Sequence, residues 1–124
     1  MPKPGRTGLN RLFHAFGYSW LGFKACFKHE AAFRQELFLG AIMLPCAVIF
    51  AETYLEMAVL IGSLFLVLAV ELLNSGLEAI VDRVSDEHHE LSGRAKDLGS
   101  AAVTVVLINV IVIWSIIFVP KYLN

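Results

Sequence analysis

Apolar residues gather in three long stretches of this chain. Leu37–Ala51 reads LFLGAIMLPCAVIFA, Met57–Leu73 reads MAVLIGSLFLVLAVELL, and Ala101–Val119 reads AAVTVVLINVIVIWSIIFV. A helix crossing a bilayer needs roughly 20 apolar residues. The third stretch meets that length without a charge. The second carries one, Glu71. The first holds Pro45, which breaks a helix in water but is tolerated as a kink in a membrane bundle. Upstream, Leu12, Phe13, Phe16, Trp20, Phe23 and Phe27 recur at spacings of one, three and four. That is the pattern of an amphipathic helix over about residues 10–28. Tyr18 and Trp20 suit the lipid headgroup layer, so the helix is expected to lie in the membrane interface. A groove on a soluble partner would fit the same face. Gly17 and Gly22 leave its continuity open. The expected fold is an all-α membrane protein in a single domain, 1–124. It has three transmembrane helices, about 31–51, 55–82 and 95–119, the second with a cytoplasmic extension, plus the N-terminal surface helix.

Composition sharpens this reading. Of 124 residues, 57% are hydrophobic and 17% charged, too little polar surface to cover three such segments in a soluble protein. The formal net charge of −1 gives no basic field for nucleic acid. No apolar stretch with a small-residue cleavage site follows the basic N-terminus at signal-peptide distance. Cys26 and Cys46 are read as free thiols. With three spans, residues 1–36 and 74–100 share one side. That side holds Lys3, Arg6, Arg11, Lys24, Lys28, Arg34, Arg83, Arg94 and Lys96, leaving only Lys121 elsewhere. The positive-inside rule puts it, and the N-terminus, in the cytoplasm.

The chemistry concentrates where the second span ends, in VELLNSGLEAIVDR, Val70–Arg83. Glu71, Asn74, Glu78 and Asp82 are spaced three, four and four, so they share one helix face, with Ser75 at its border. A carboxylate near the end of a membrane span is costly without a partner or a purpose. Several on one stripe repel each other, and hard oxygen ligands suit Mg²⁺. Pairing with Arg83, Arg94 or Lys96 is the plainer alternative. Next comes DEHHELSGRAKDLGSAA, Asp86–Ala102, in which Ser92-Gly93 is a candidate helix break. Arg94 and Lys96 are placed to hold phosphate oxygens and Asp97 to orient a cation or a ribose hydroxyl; interface anchoring is the bland reading. Asp86, His89 and Glu90 make a poor transition-metal set, and the adjacent His88 and His89 point apart on a helix. Glu30 and Glu36 flank Arg34. A Glu30–Arg34 ion pair is the local reading; an approach of Glu30 to the acidic stripe is the functional one. No Gly-rich phosphate loop or kinase signature is present, so any ATP chemistry must be built from helices.

The motifs E-L-L-N-S-x-x-E-A-x-V-D-R and H-E-L-S-G-R-A-K-D-x-G-S-A-A-V, with G-Y-S-W at Gly17–Trp20 and E-A-A-F-R-Q-E at Glu30–Glu36, closely resemble the bacterial integral-membrane diacylglycerol kinases over about residues 9–120. The resemblance implies an inner-membrane lipid kinase that phosphorylates the hydroxyl of diacylglycerol with MgATP to give phosphatidate. It implies a homotrimer with active sites shared between subunits. On this chain it implies Glu30 and Glu78 as Mg²⁺ ligands and Glu71 as general base or hydroxyl-positioning group. Asn74, Lys96 and Asp97 fall in the nucleotide site, with Arg11, Tyr18, His89 and Glu90 around it. Glu71, Ser100 and Arg11 fall near the lipid. His88 stands where the family often has Tyr, and Phe16 is bulkier than the residue common at its place. A sister branch of similar pattern phosphorylates undecaprenol; E-A-A-F-R-Q-E and L-S-G-R-A-K-D look more like the diacylglycerol branch. Two other classes remain open from the residues alone. One is a membrane protein binding or conducting divalent cations through the acidic stripe. The other is a non-catalytic assembly subunit.

Overall fold

The computed structural model describes residues 7–84 and 89–123. Four helices follow one another: α1 (Gly8–His29), α2 (Ala31–Phe50), α3 (Tyr54–Val84) and α4 (Glu90–Tyr122). The described residues are thus all helix and short connection. α2, α3 and α4 are each long and apolar enough to cross a membrane. α1 runs unbroken through Gly17 and Gly22, and α2 through Pro45.

Each boundary has a local cause. α1 opens at Gly8, whose φ of 62° is open to glycine at little cost. It stops at Glu30, which is extended (φ −117°, ψ 108°) and serves as the junction with α2. The last carbonyls of a helix lack intrahelical donors. Arg34 supplies them here: its guanidinium donates to the carbonyls of Phe27 (2.6 Å) and Lys28 (3.2 Å). The Glu30–Arg34 ion pair expected from spacing is therefore absent, because Glu30 lies outside helical geometry and Arg34 turns back to α1. α3 opens on Thr53, whose hydroxyl accepts from the Glu56 amide (3.1 Å), while the Glu56 carboxylate accepts from the Glu52 amide (3.2 Å). Ser92-Gly93 does not break a helix. α4 begins upstream of it, because the His89 imidazole Nδ1 accepts from the Leu91 amide (3.0 Å) and caps the end at residue 89.

α3 is the central element and packs on the other three; α2 and α4 do not pack on each other. The interior is small: Phe33, Ala47, Leu60, Val67 and Val106 are buried. Most large apolar side chains lie outside, including Phe38, Phe65, Ile111 and Ile116. In water such a surface would aggregate; against lipid it is the stable arrangement. Polar ties replace the missing core. Trp114 donates through Nε1 to the buried Ser63 hydroxyl (3.1 Å), which donates to the Leu60 carbonyl (2.6 Å). At the end of the bundle that holds the α2–α3 turn, Lys121 reaches Glu56 and, at 3.8 Å, Glu52.

Candidate active site

At the opposite end, α3 carries its polar stripe past the apolar zone. Glu71 is the deepest member, 4% exposed. Three other carboxylates lie close enough to act on it: Glu36 from α2, whose carboxyl lies against that of Glu71, then Glu30 from the α1–α2 junction and Glu78 two turns along α3. α1 joins the group through Cys26, a buried thiol that donates to the Ser75 hydroxyl at 3.4 Å. Burial pushes the Cys26 thiol up and the Ser75 contact pulls the other way; the nearby carboxylates add to the rise, so the sulfur stays protonated at neutral pH. The break at Glu30 is what turns α1 across the end of α3. It brings Glu30, Cys26 and Glu36 to the same place.

Asn74 sits at the centre of the stripe. Its Nδ2 donates to Glu78 Oε1 at 3.3 Å. Its Oδ1 is buried with no hydrogen-bond partner among the described residues, as is Glu36 Oε1. Asn74 occupies a notch made by Gly99 on α4: a Cβ added to Gly99 would meet Asn74 Oδ1 at 2.0 Å and Cγ at 3.1 Å. Any side chain at this position of α4 would displace the Asn74 carboxamide from its seat.

The residues picked out from the sequence fall into two sets. Glu30, Glu71, Asn74 and Glu78 come together, with Asp82 one turn farther along α3. Lys96 on α4 reaches Asp82 at 2.6 Å, so the plainer pairing reading holds for that acid. The rest stand apart. Asp97 and Ser100 are exposed on α4, and the Ser100 carbonyl accepts from the Thr104 hydroxyl (3.0 Å). His89 is the α4 cap, and Glu90 pairs with Arg94 at 3.8 Å. Tyr18 and Arg11 lie on α1, roughly 12 and 22 Å along the helix from Cys26 at 1.5 Å per residue. Asp86 and His88 lie outside the described residues. Glu36, Gly99 and the Cys26–Ser75 contact were missed as site features. A carboxylate at the start of a membrane span was the available signal for Glu36. Nothing in the sequence announced the other two.

The arrangement suits one kind of metal chemistry. Among the described residues no group of three or more His, Cys, Asp or Glu side chains is placed to hold a metal ion. Mg²⁺ that arrives with a nucleotide needs only one or two carboxylates, because water and phosphate oxygens complete its shell. Carboxylates at Glu30 and Glu78 and orphaned buried oxygens on Glu36 and Asn74 fit that requirement.

Residues 17–118 match the profile of the prokaryotic diacylglycerol kinase family. A diacylglycerol kinase of Haemophilus influenzae is 49% identical over 108 residues, covering 87% of this chain and 92% of its own. One from Pseudomonas aeruginosa is 49% identical over 116 residues, 94% of each chain. One from Helicobacter pylori is 39% identical over 121 residues, 98% of this chain and 94% of its own.

Proposed function

The chain belongs to the prokaryotic diacylglycerol kinase family and is a diacylglycerol kinase, and we propose that the Glu71 cluster is its phosphoryl-transfer site. The supporting observation is the meeting of Glu71, Glu30, Glu78 and Asn74 at the end of the second apolar helix. The free hydroxyl of a diacylglycerol is expected at this headgroup depth, while its acyl chains stay in the bilayer.

The Glu71 carboxylate accepts the proton of the lipid hydroxyl. That oxygen attacks the γ-phosphorus of ATP, the bond to the bridging oxygen breaks, and ADP leaves. A glycerol hydroxyl is a poor nucleophile, and general-base assistance within hydrogen-bond reach answers that. Glu36, pressed against Glu71, keeps its carboxylate fixed toward the hydroxyl. Glu30 and Glu78 would hold Mg²⁺, which on binding neutralises charge on the ATP phosphates. Asn74 Oδ1, now unsatisfied, is free to accept from the nucleotide. Lys96 faces phosphate oxygens after leaving Asp82. That exchange costs little, because both partners of the pair are exposed. Asp97, His89 and Glu90 border the nucleotide from α4, and Ser100 and Arg11 the lipid.

We place the enzyme in the bacterial inner membrane with its N-terminus and active site in the cytoplasm, following the asymmetry of Lys and Arg. We propose a homotrimer with shared sites. Arg11 and Tyr18 point to it, since α1 carries both away from their own Glu71, so a site using them draws them from another copy.

The deciding experiment is lipid-dependent ADP release by the purified protein in mixed micelles with MgATP, offering diacylglycerol and undecaprenol separately. Release with diacylglycerol is expected. Release with undecaprenol alone would move the substrate while keeping the site. No release with either from folded protein would overturn the reading. The notch gives a second expectation. Gly99→Ala leaves no room for Asn74 in its present position and swings its flexible side chain off Glu78, so the helix pair survives. Turnover falls by up to about a hundredfold, the scale on which a misplacement of about 1 Å acts, with heat resistance nearly unchanged. Unaltered kinetics in folded Gly99→Ala would show that the seat of Asn74 is unimportant.

A further inference from the structure

Glu30 and Glu78 reach the cluster on different elements, and no single helix fixes one against the other. Glu78 is set by α3. Glu30 stands in the extended junction between α1 and α2, and it brings its charge to a place where Glu71 already holds one. Something has to keep that junction against α3.

The lipid-facing side of α1 does not do this. Phe13, Phe16 and Trp20 are exposed there. Lipid fixes their depth in the interface, but a fluid layer fixes no position within its plane. Arg34 ties the end of α1 to α2 through the carbonyls of Phe27 and Lys28, and so leaves the distance to α3 unset. Cys26 sets it. Among the described residues of α1 it alone is buried. Its thiol donates to the Ser75 hydroxyl of α3 at 3.4 Å, and its carbonyl accepts from the Glu30 amide at 2.9 Å. Two hydrogen bonds through one residue thus join α3 to the backbone of Glu30. Ser75 lies between Glu71 and Glu78, about 6 Å from the first and about 4.5 Å from the second along the helix axis. The thiol also suits its surroundings. Glu30, Glu71 and Glu36 all lie near it. A basic side chain here would neutralise the acids that draw a cation, and an acidic one would add to their repulsion. A protonated thiol donates one hydrogen and leaves the charge of the cluster as it is.

We propose that Cys26 is a positioning residue for the cation that the nucleotide brings: its thiol, seated on Ser75, holds the Glu30 carboxylate against the Glu78 stripe of α3. Mg²⁺ demands near-ideal octahedral oxygens at about 2.0–2.1 Å, so a carboxylate that drifts by a fraction of that distance binds it less well. This role rests on Glu30 and Glu78 as the ligands of Mg²⁺, the reading given above.

The test binds Mn²⁺, which takes the same oxygen ligands, together with a non-hydrolysable ATP analogue to the full chain in detergent micelles without diacylglycerol. Immobilisation of the Mn²⁺–nucleotide complex is read from water proton relaxation, so no turnover enters. Cys26→Ala weakens binding about twofold to tenfold, the equilibrium factor of one hydrogen bond. Ser75→Ala weakens it by a similar factor. The two together do no more than either alone, because both cut one link. Cys26→Ser, which keeps a donor on the same stem, restores most of the affinity. In steady-state ADP release the Mg²⁺ midpoint of Cys26→Ala rises by the same factor, and high Mg²⁺ recovers the lost rate. A thiol that only filled space would give a different result. Cys26→Ala would then lower heat resistance and the rate at every Mg²⁺ concentration, with Mn²⁺ affinity and the midpoint in place, and that overturns the role. Additive losses in the double variant overturn it too, since thiol and hydroxyl would then act separately. Glu30→Gln and Glu78→Gln tell the two levels apart. If they weaken Mn²⁺ binding and Cys26→Ala does not, the positioning role alone falls. If none of the three weakens it, the ligand assignment falls as well.

Discussion

Glu71→Gln is expected to lower turnover by about 10²- to 10⁴-fold, the contribution a positioned general base makes, while MgATP still binds. The substitution changes little else. Gln keeps the length and branching of Glu71, so the buried position stays filled. It removes one negative charge from a place where Glu36, Glu30 and Glu78 all crowd in. Its amide can donate to the Glu36 carboxyl, giving that oxygen pair a hydrogen to share. Resistance to heat or denaturant should therefore be equal to or better than that of the unaltered enzyme. The combination separates chemistry from folding: a structural carboxylate lost to Gln would cost stability, a catalytic one costs rate. The measurement is steady-state ADP release beside nucleotide binding to the same preparation. Turnover within a few-fold of normal would remove Glu71 from the base role, whatever happened to binding.

Much of the fold was legible because the signal was gross. Apolar runs such as Ala101–Val119 have no place in so short a soluble chain, and the recurrence of apolar residues at spacings of three and four before Lys28 is a helical pattern. Helix ends were less legible. Ser92-Gly93 looks like a break because glycine costs about 1 kcal/mol in a helix. The imidazole of His89 caps the helix earlier, and the packing of α4 on α3 carries it through. The site was legible where it lies on one helix. Glu71, Asn74 and Glu78 are linked by spacing within α3, and spacing is what a sequence displays. What crosses between helices was hidden. Glu36 looked like a neighbour of Arg34, but Arg34 is drawn to the free carbonyls of Phe27 and Lys28, and Glu36 turns to Glu71. The Lys96–Asp82 pair and the Gly99 notch depend on how far α4 slides along α3. No local pattern encodes that register.

Glu78→Gln should produce a different defect from Glu71→Gln. Glu78 is half-buried, one helical turn from Asn74, and accepts a hydrogen bond from its Nδ2. Gln retains a carbonyl oxygen for that bond, so the stripe keeps its shape. What it loses is the charge that draws a divalent cation, and a neutral amide is a far weaker ligand for hard Mg²⁺ than a carboxylate. Even partners outside the inner ligand set of a metal change its affinity about tenfold to a hundredfold when removed. A direct ligand should lose at least that, so the Mg²⁺ concentration giving half-maximal rate rises by that factor. High Mg²⁺ then restores part of the rate, which it does not do for Glu71→Gln. Glu30→Gln, which removes the other proposed ligand from a different element, should shift the same midpoint in the same direction. Lys96→Met should raise the KM for ATP without moving the Mg²⁺ midpoint as far. An Mg²⁺ midpoint unchanged in both carboxylate variants would mean that the cation is held by phosphate and water alone. The carboxylates of α3 and the α1–α2 junction would then act only by shaping the pocket around Glu71.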